Sequence, residues 1–256
     1  MFSAMLITSK DVQQHFYKRA LGYEKSAYWV ENQELFKLYT RVVKVNDGDR
    51  VLDIGCGTGL IGSLFRKRGV LIVGVDFTIE MMRKALPRLD FLVKSNIEEI
   101  PFSNDIFNLI VCRQALQFVD YRMVVKEMFR VCKPGGKILL SQLAAHSKED
   151  KKWAFKIQRM RQPMRKNCFL EEDLVNMLRE VGCSNIQSFP YYYYEFINRW
   201  INYGILSQKL QKEIIEVYKQ VSSSFLKIHE VAFSDSSIRD KMKISTVVGS
   251  KLLKRR

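Results

Sequence analysis

The chain predicts an α/β fold, with one mostly parallel sheet and helices on both of its faces. Three observations carry this. The apolar stretch VLDIGCGTG runs into an acid, Asp53, and then into glycines at Gly55, Gly57 and Gly59. A second apolar stretch, VLIVGVD, follows about twenty residues later and also ends in an acid, Asp76, the spacing of a strand–turn–helix–strand unit that receives a nucleoside. Beyond it, strand-like apolar runs and amphipathic helical runs keep alternating, which is the signature of a parallel sheet covered on both sides.

Residues 1–45 read as helical, because Phe16, Tyr17, Ala20 and Tyr23 recur near the helical period, as do Leu35, Phe36 and Tyr39. No Pro/Gly-rich linker follows them, so they form a helical cap on a single domain over 46–256. The first strand is Arg50–Ile54. Its helix covers 60–67 and stops at Gly69, a residue suited to the left-handed position after a helix. The second strand is 71–75, and the next helix starts near Thr78 with Glu80 in its first turn. The third strand is Phe91–Lys94 and the fourth 109–112. A helix over 123–131 gives way to KPGG, a turn into the fifth strand, 137–142. After it, Trp153, Ile157, Met160 and Met164 share one helical face beside another bearing Lys152, Lys156 and Arg159, the pattern of a surface helix with a core stripe. EEDLVNMLREVGC is an amphipathic helix ending at Gly182, and NIQSFPYYYYE is the sixth strand. Its tyrosines 191–194 alternate between the two sides. A helical insertion spans about 197–230, and KISTVVGSK over 243–251 is the last strand.

A hydrophobic content of 47% over 256 residues fills a sizeable core. No apolar run reaches the length of a membrane span, and MFSAMLITSKDVQQHF lacks the basic, apolar and cleavage regions of a secretory signal. Cys56, Cys112, Cys132, Cys168 and Cys183 are scattered with no CxxC pair, which argues against a zinc site and a disulfide framework. No metal is expected, and the setting expected is the reducing cytoplasm. The net charge of +15 would suit an anionic substrate, nucleic acid, an acidic carrier protein or a membrane surface. Its spread through RKRG, KKWAFK, RMRQPMRK and KLLKRR favours a solvated surface instead.

The glycine turn narrows the ligand. It reads D-x-G-x-G-x-G, not the G-x-G-x-x-G that seats a pyrophosphate, and no Walker pattern surrounds it. An acid before the first glycine repels a pyrophosphate and attracts a cation. That suits the sulfonium and amino group of S-adenosylmethionine.

VLDIGCGTG, GVDFTIEMM, SNIEEIPF, FNLIVCRQALQFV and KPGGKILL, taken together over 51–140, resemble the successive motifs of class I S-adenosylmethionine-dependent methyltransferases. The likeness is strongest to the ubiquinone/menaquinone-biosynthesis-like branch, of the methyltransferase domain 11 type. The resemblance implies a Rossmann-like seven-stranded sheet whose last strand lies antiparallel between the fifth and sixth, with the N-terminal helices capping the active site. It implies S-adenosyl-L-methionine as donor and S-adenosyl-L-homocysteine as product. By the same resemblance Asp53 faces the methionine amino group, and Gly55, Cys56 and Gly57 turn around methionine and ribose. Asp76 accepts from both ribose hydroxyls and Phe77 packs on adenine. Asn96 stands where the family usually has Asp, and its amide oxygen can still accept from the adenine amino group. Ile97 lies against the adenine edge, and Arg113 and Gln114 line the methionine end.

Two departures from the family pattern stand out. Phe107-Asn108 replaces the usual Phe-Asp, and Gln117-Phe118 stands where many relatives carry histidines, which removes one candidate base. The expected proton carriers are His146, just after the fifth strand, and Tyr17 in the cap helix. The expected acceptor is a small molecule, aromatic or hydroxylated, in a biosynthetic pathway. RNA or a carrier-protein-bound acceptor is the alternative, and a non-catalytic binding module the third. RNA is disfavoured, because no basic stripe with interleaved aromatics and no D/N-P-P-Y/W motif is present. The insertion before the last strand is a candidate homodimer face.

Overall fold

The computed structural model describes residues 8–234 and 237–253. Residues 1–7 of the expected cap and the last three of KLLKRR lie outside the described residues. The cap consists of α1 (Ser9–Arg19), a 3-10 turn (Tyr28–Glu31) and α2 (Gln33–Val42). Thr8 starts α1 with a capping box, its hydroxyl accepting from the Asp11 N–H and the Asp11 carboxylate accepting from the Thr8 N–H. The core then runs β1 (Arg50–Ile54), α3 (Leu60–Ser63), β2 (Leu71–Asp76), α4 (Ile79–Ala85), β3 (Phe91–Lys94), β4 (Phe107–Arg113), α5 (Tyr121–Val131) and β5 (Cys132–Ala144). Next come α6 (Lys148–Arg161), α7 (Glu171–Glu180) and β6 (Cys183–Phe196). The insertion holds α8 (Ile197–Ile201), α9 (Gln208–Gln220) and α10 (Ser223–Ile228), and β7 (Ala232–Phe233) and β8 (Ile238–Lys251) end the fold.

The strand order is β3-β2-β1-β4-β5-β8-β6. Pairs from β3 to β5 are parallel, and β8 is antiparallel to both β5 and β6. This is the mostly parallel, Rossmann-like sheet the sequence predicts. Its one addition is β7, which pairs with the start of β8 and makes the sheet eight-stranded instead of seven. Alternation along the strands sorts side chains into two layers. Val51, Leu109, Val111 and Leu139 pack with Leu35 and Tyr39 of the cap and with Trp200 and Phe225 of the insertion. Leu52, Ile110, Ile138 and Leu140 pack with Val124 and Met128 of α5 and Leu174 and Leu178 of α7.

Three local expectations change. First, α3 stops at Ser63, because Leu64, Phe65 and Arg66 donate to Ile61, Gly62 and Ser63, three residues back, so the chain tightens into 3-10 winding. Second, KPGG is a bulge inside β5 and not a turn before it. The register jumps from Phe107↔Cys132 to Leu109↔Lys137, with Gly135 at φ 82°. Asn108 sits in that jump, where its Oδ1 accepts from the Arg50 N–H at 3.0 Å and from Lys133 Nζ at 3.2 Å, tying the start of β1 to the bulge. Third, the buried face of α6 is Asp150, Ala154, Ile157, Gln158 and Arg161, because the insertion covers it. Trp153 is only partly buried, under the Lys156 ammonium at 5.0 Å. Among the described residues no helix is long and apolar enough to cross a membrane.

Candidate functional site

The carboxyl ends of β1 and β2 are joined by the glycine turn. Gly55, Gly57 and Gly59 hold φ of 64°, 53° and 78°, which side-chain-bearing residues rarely adopt. The Cys56 N–H donates to the Val75 carbonyl at 3.0 Å and draws the turn across the tip of β2. Asp76 Oδ2 accepts from the Gly57 N–H at 2.9 Å and its Oδ1 from the Thr78 N–H at 2.8 Å. Asp53 Oδ2 accepts from the Gly62 N–H at 2.7 Å. Gly62 permits this approach, since a Cβ there would stand 3.0 Å from the same oxygen.

Both acids are buried, Asp53 at 2% and Asp76 at 8% exposure. Burial pushes Asp53 up to about 7, against the opposing effects of the Gly62 N–H and Arg113, with Asp76 adding to the rise. Asp76 is raised by burial as well. Two neighbouring buried acids, raised despite the N–H groups they accept from, favour a cation beside them. A sulfonium with an ammonium supplies one, whereas a pyrophosphate would add to the negative charge. The donor set therefore fits S-adenosylmethionine. Cys56 is buried and its thiol raised well above the usual range by burial, so it packs and does not act as a nucleophile.

The remaining expected cofactor residues lie along the same carboxyl edge. The Phe77 carbonyl accepts from Gln13 Nε2 at 3.0 Å, which lays α1 across this side of the turn. After β3, Ile97 is buried, while Asn96 is exposed and exchanges hydrogen bonds with Glu98. Arg113 ends β4, donates from Nη1 to the Val30 carbonyl at 3.0 Å and lies over the Trp29 and Phe36 rings. Gln114 follows at φ 54°, a left-handed conformation unusual for its type, and its Nε2 is buried with no partner among the described residues.

The two expected proton carriers do not join this group. Tyr17 is 59% exposed, because the inward face of α1 carries Phe16 and Arg19 and a single step along a helix turns about 100° away. His146 hydrogen-bonds through Nε2 to the Lys241 carbonyl at 2.8 Å and packs 4.3 Å from the His229 ring, in the layer under the insertion. Burial pushes it down to about 4. The alternating tyrosines divide as expected, with Tyr193 buried and Tyr192 and Tyr194 exposed, and Tyr193 stacks on Tyr28 of the cap at 5.9 Å.

Sequence reasoning missed a cavity beside Gln114. Phe16, Arg19, Tyr23 and Trp29 of the cap close it from one side, Gln117 and Phe118 from the loop after β4, and Arg161, Arg165 and Trp200 from the other. Gln117 donates from Nε2 to the Gln114 carbonyl at 2.8 Å, and its own carbonyl accepts from the Lys166 N–H at 2.8 Å, which fixes the loop after α6 against the site. RMRQPMRK had read as solvated charge, yet Arg161 and Arg165 are buried. One signal was present for Arg19: it lies three residues after Phe16, one helical turn along α1 on the same face.

A mostly parallel sheet with a glycine turn, two buried acids at its first strand tips and a helical cap over them defines the class I methyltransferase architecture. The chain belongs to the class I S-adenosylmethionine-dependent methyltransferases: the family of methyltransferase domains matches residues 27–188, more than half of it. It is 32% identical over 146 residues to a malonyl-[acyl-carrier protein] O-methyltransferase of Erwinia billingiae, covering 55% of this chain and 57% of that enzyme. It is 32% identical over 98 residues to a demethylmenaquinone methyltransferase of Corynebacterium urealyticum, covering 38% and 43%. The match thus spans about half the length of these relatives. Among solved structures, the YcgJ protein of Bacillus subtilis superposes with a TM-score of 0.78 at 24% identity, over 86% of this chain and 99% of that one, a likeness of fold.

Proposed function

We propose that this chain transfers a methyl group from S-adenosylmethionine to a small-molecule acceptor held in the cavity beneath the cap. The observation that carries the reading is the pair of buried acids, Asp53 and Asp76, on a left-handed glycine turn beside that cavity. Asp53 and Gln114 would hold the methionine end, with Gly55, Cys56 and Gly57 around it. Asp76 would hold the ribose, and Phe77, Asn96 and Ile97 the adenine. When bound, the cofactor supplies an electrophilic methyl on a sulfonium. Residues 8–45 act as a cap that excludes water from the acceptor, and Arg113 anchors the cap through the Val30 carbonyl. Among the described residues no His, Asp or Glu lines the cavity, which favours an acceptor that enters as a ready nucleophile. The five described cysteines are free and buried, which suits the cytoplasmic setting we propose with this activity.

The test begins with calorimetric titration of S-adenosylhomocysteine into the wild type and Asp76→Ala. Binding that falls about tenfold or more in the variant, for the loss of charge-assisted bonds, supports the reading, and a wild type that does not bind ends it. Radiolabelled S-adenosylmethionine is then incubated with an extract split into small-molecule, protein and RNA fractions, with label expected in the first. A carrier-protein-bound acceptor is the second reading. It is favoured by the relative named for a malonyl-carrier substrate and by the +15 charge, and label in the protein fraction would select it.

A further inference from the structure

The cavity beside Gln114 gathers cations without a counter-charge. Arg19, Arg161 and Arg165 line it at 3%, 2% and 3% exposure. Their hydrogen-bond partners are all neutral. Arg19 donates to Ser26 Oγ at 2.9 Å, Arg161 to the Trp200 and Ser26 carbonyls at 2.8 Å each, and Arg165 to Gln162 Oε1 at 3.3 Å. None of the three enters an ion pair among the described residues. The one carboxylate felt by Arg161, that of Glu195, is taken up by Arg199 at 2.6 Å and the Tyr28 N–H at 2.8 Å. The Nε atoms of Arg19 and Arg165 are buried with no partner among the described residues, as is Gln114 Nε2 on the same cavity.

Packing alone does not explain this arrangement. Ring faces do cover the guanidiniums, with Tyr203 5.0 Å from Arg19 and 4.3 Å from Arg161. Rings compensate a buried charge only in part, however, and like charges in one low-dielectric space repel. Burial first, and then neighbouring arginines, lower the pKa of Arg161 to about 9, and burial likewise brings Arg165 to about 10. Guanidinium forks with free N–H groups match the oxygens of a carboxylate or phosphate.

We propose that this cavity binds an anionic group of the methyl acceptor, a carboxylate or a phosphate, between Arg19, Arg161 and Arg165, with Gln114 Nε2 as a further donor. The role as acceptor rests on the methyltransferase reading, while the anion site stands on the arginines. The space among these side chains is about 20 Å³, room for about one water. Binding therefore requires the cavity to open as the group enters. A neutral analogue would leave the buried donors unpaired and be rejected.

The test uses the full chain, with and without S-adenosylhomocysteine. Thermal unfolding is followed during titration with sodium phosphate and with sodium succinate, each against sodium chloride at equal ionic strength. A saturable stabilisation beyond chloride is expected from one of the two, and which one distinguishes phosphate from carboxylate. Arg165→Gln should weaken that anion by about tenfold or more, the loss of a charge-assisted bond, and leave S-adenosylhomocysteine affinity unchanged. Arg19→Gln serves as the second variant if the first does not fold, and the wild-type titration decides alone if neither folds. No stabilisation beyond chloride by either anion overturns the proposal, as does an equal effect in the variants. A wild type that takes the anion but not S-adenosylhomocysteine upholds the site and removes the methyltransferase reading. The converse result does the reverse.

Discussion

Raising the pH from 6.5 to 8.5 should cost this protein stability through His229, by an amount that a His229 variant isolates. Its Nδ1 meets Asp240 Oδ1 at 2.8 Å and its Nε2 meets Asp150 Oδ2 at 2.9 Å, an arrangement that only the doubly protonated ring satisfies. The ring stacks on Phe225 at 3.8 Å, and Tyr218 donates to the other Asp240 oxygen at 2.5 Å. Burial by itself would lower the pKa, but the hydrogen bonds and charges of Asp150 and Asp240 outweigh it and raise His229 to about 9. A folded pKa above the unfolded value of about 6.5 means that the stabilisation is fully present below pH 6.5 and lost as pH rises through 9. The whole effect is about 3 kcal/mol, of which about 2 kcal/mol falls between pH 6.5 and 8.5. Burial lowers His15 to about 3 and His146 to about 4, and burial raises the five cysteine thiols; these groups are common to wild type and variant and cancel in their difference. Asp53 titrates near 7 but is common to wild type and variant, and cancels in their difference. Urea unfolding at pH 6.5, 7.5 and 8.5 reads the effect, as a midpoint falling by roughly 1 M at a slope of about 2 kcal/mol/M. His229→Gln should be less stable at pH 6.5, because Asp150 and Asp240 lose their buried cation, and its stability should fall by about 2 kcal/mol less than that of the wild type between pH 6.5 and 8.5. An identical slope in both chains would refute the reasoning.

Further outcomes follow from the site. S-adenosylmethionine affinity should fall as pH drops below about 7, because Asp53 protonates there and a cationic ligand prefers its ionised form; in calorimetry, Asp53→Asn should flatten that dependence. Gly55→Ala places a Cβ 2.7 Å from Ala115 Cβ at φ 64°, and should cost about 1–3 kcal/mol in urea unfolding. His146→Ala should lower the unfolding midpoint through its lost contact with His229 and leave S-adenosylhomocysteine affinity unchanged. A fall in turnover with unchanged stability would restore His146 as a proton carrier.

The donor side of the molecule was legible because it is built from short-range chemistry. Strands β1 and β3 fall where alternation and flanking turns put them, and β2 differs only by including Asp76. Three glycines at positive φ announce a turn that few other residues could make. The Asp53–Gly62 and Asp76–Thr78 bonds close within one strand–turn–helix unit. The bulge at KPGG was not legible, since a Pro-Gly-Gly run signals a break in regular structure without saying whether the strand resumes in register. The roles of the histidines were hidden for a different reason. His229 and His146 owe their environments to Asp150, Asp240 and Lys241, which converge from α6 and β8 only once the insertion has folded back.

The acceptor side was illegible on principle, and this bears on what the relatives can say. Arg19 sits on α1, Arg161 at the end of α6 and Trp200 on α8, and no local pattern distinguishes an arginine that will be buried by a remote element from one on a solvated face. The family match covers residues 27–188, which takes in the glycine turn, Asp76, Gln114 and the two arginines of the α6 end. It leaves out Arg19 and Trp200. The shared part therefore holds the residues proposed to bind the donor, while the cavity is closed in part by segments beyond the match on both sides. The likeness to these relatives places the chain in the family and leaves the acceptor to be read from the cavity, whose cap residues Phe16, Arg19 and Tyr23 lie outside the match together with Trp200. The cavity they complete is cationic and aromatic, and it asks for an acceptor that brings its own negative charge.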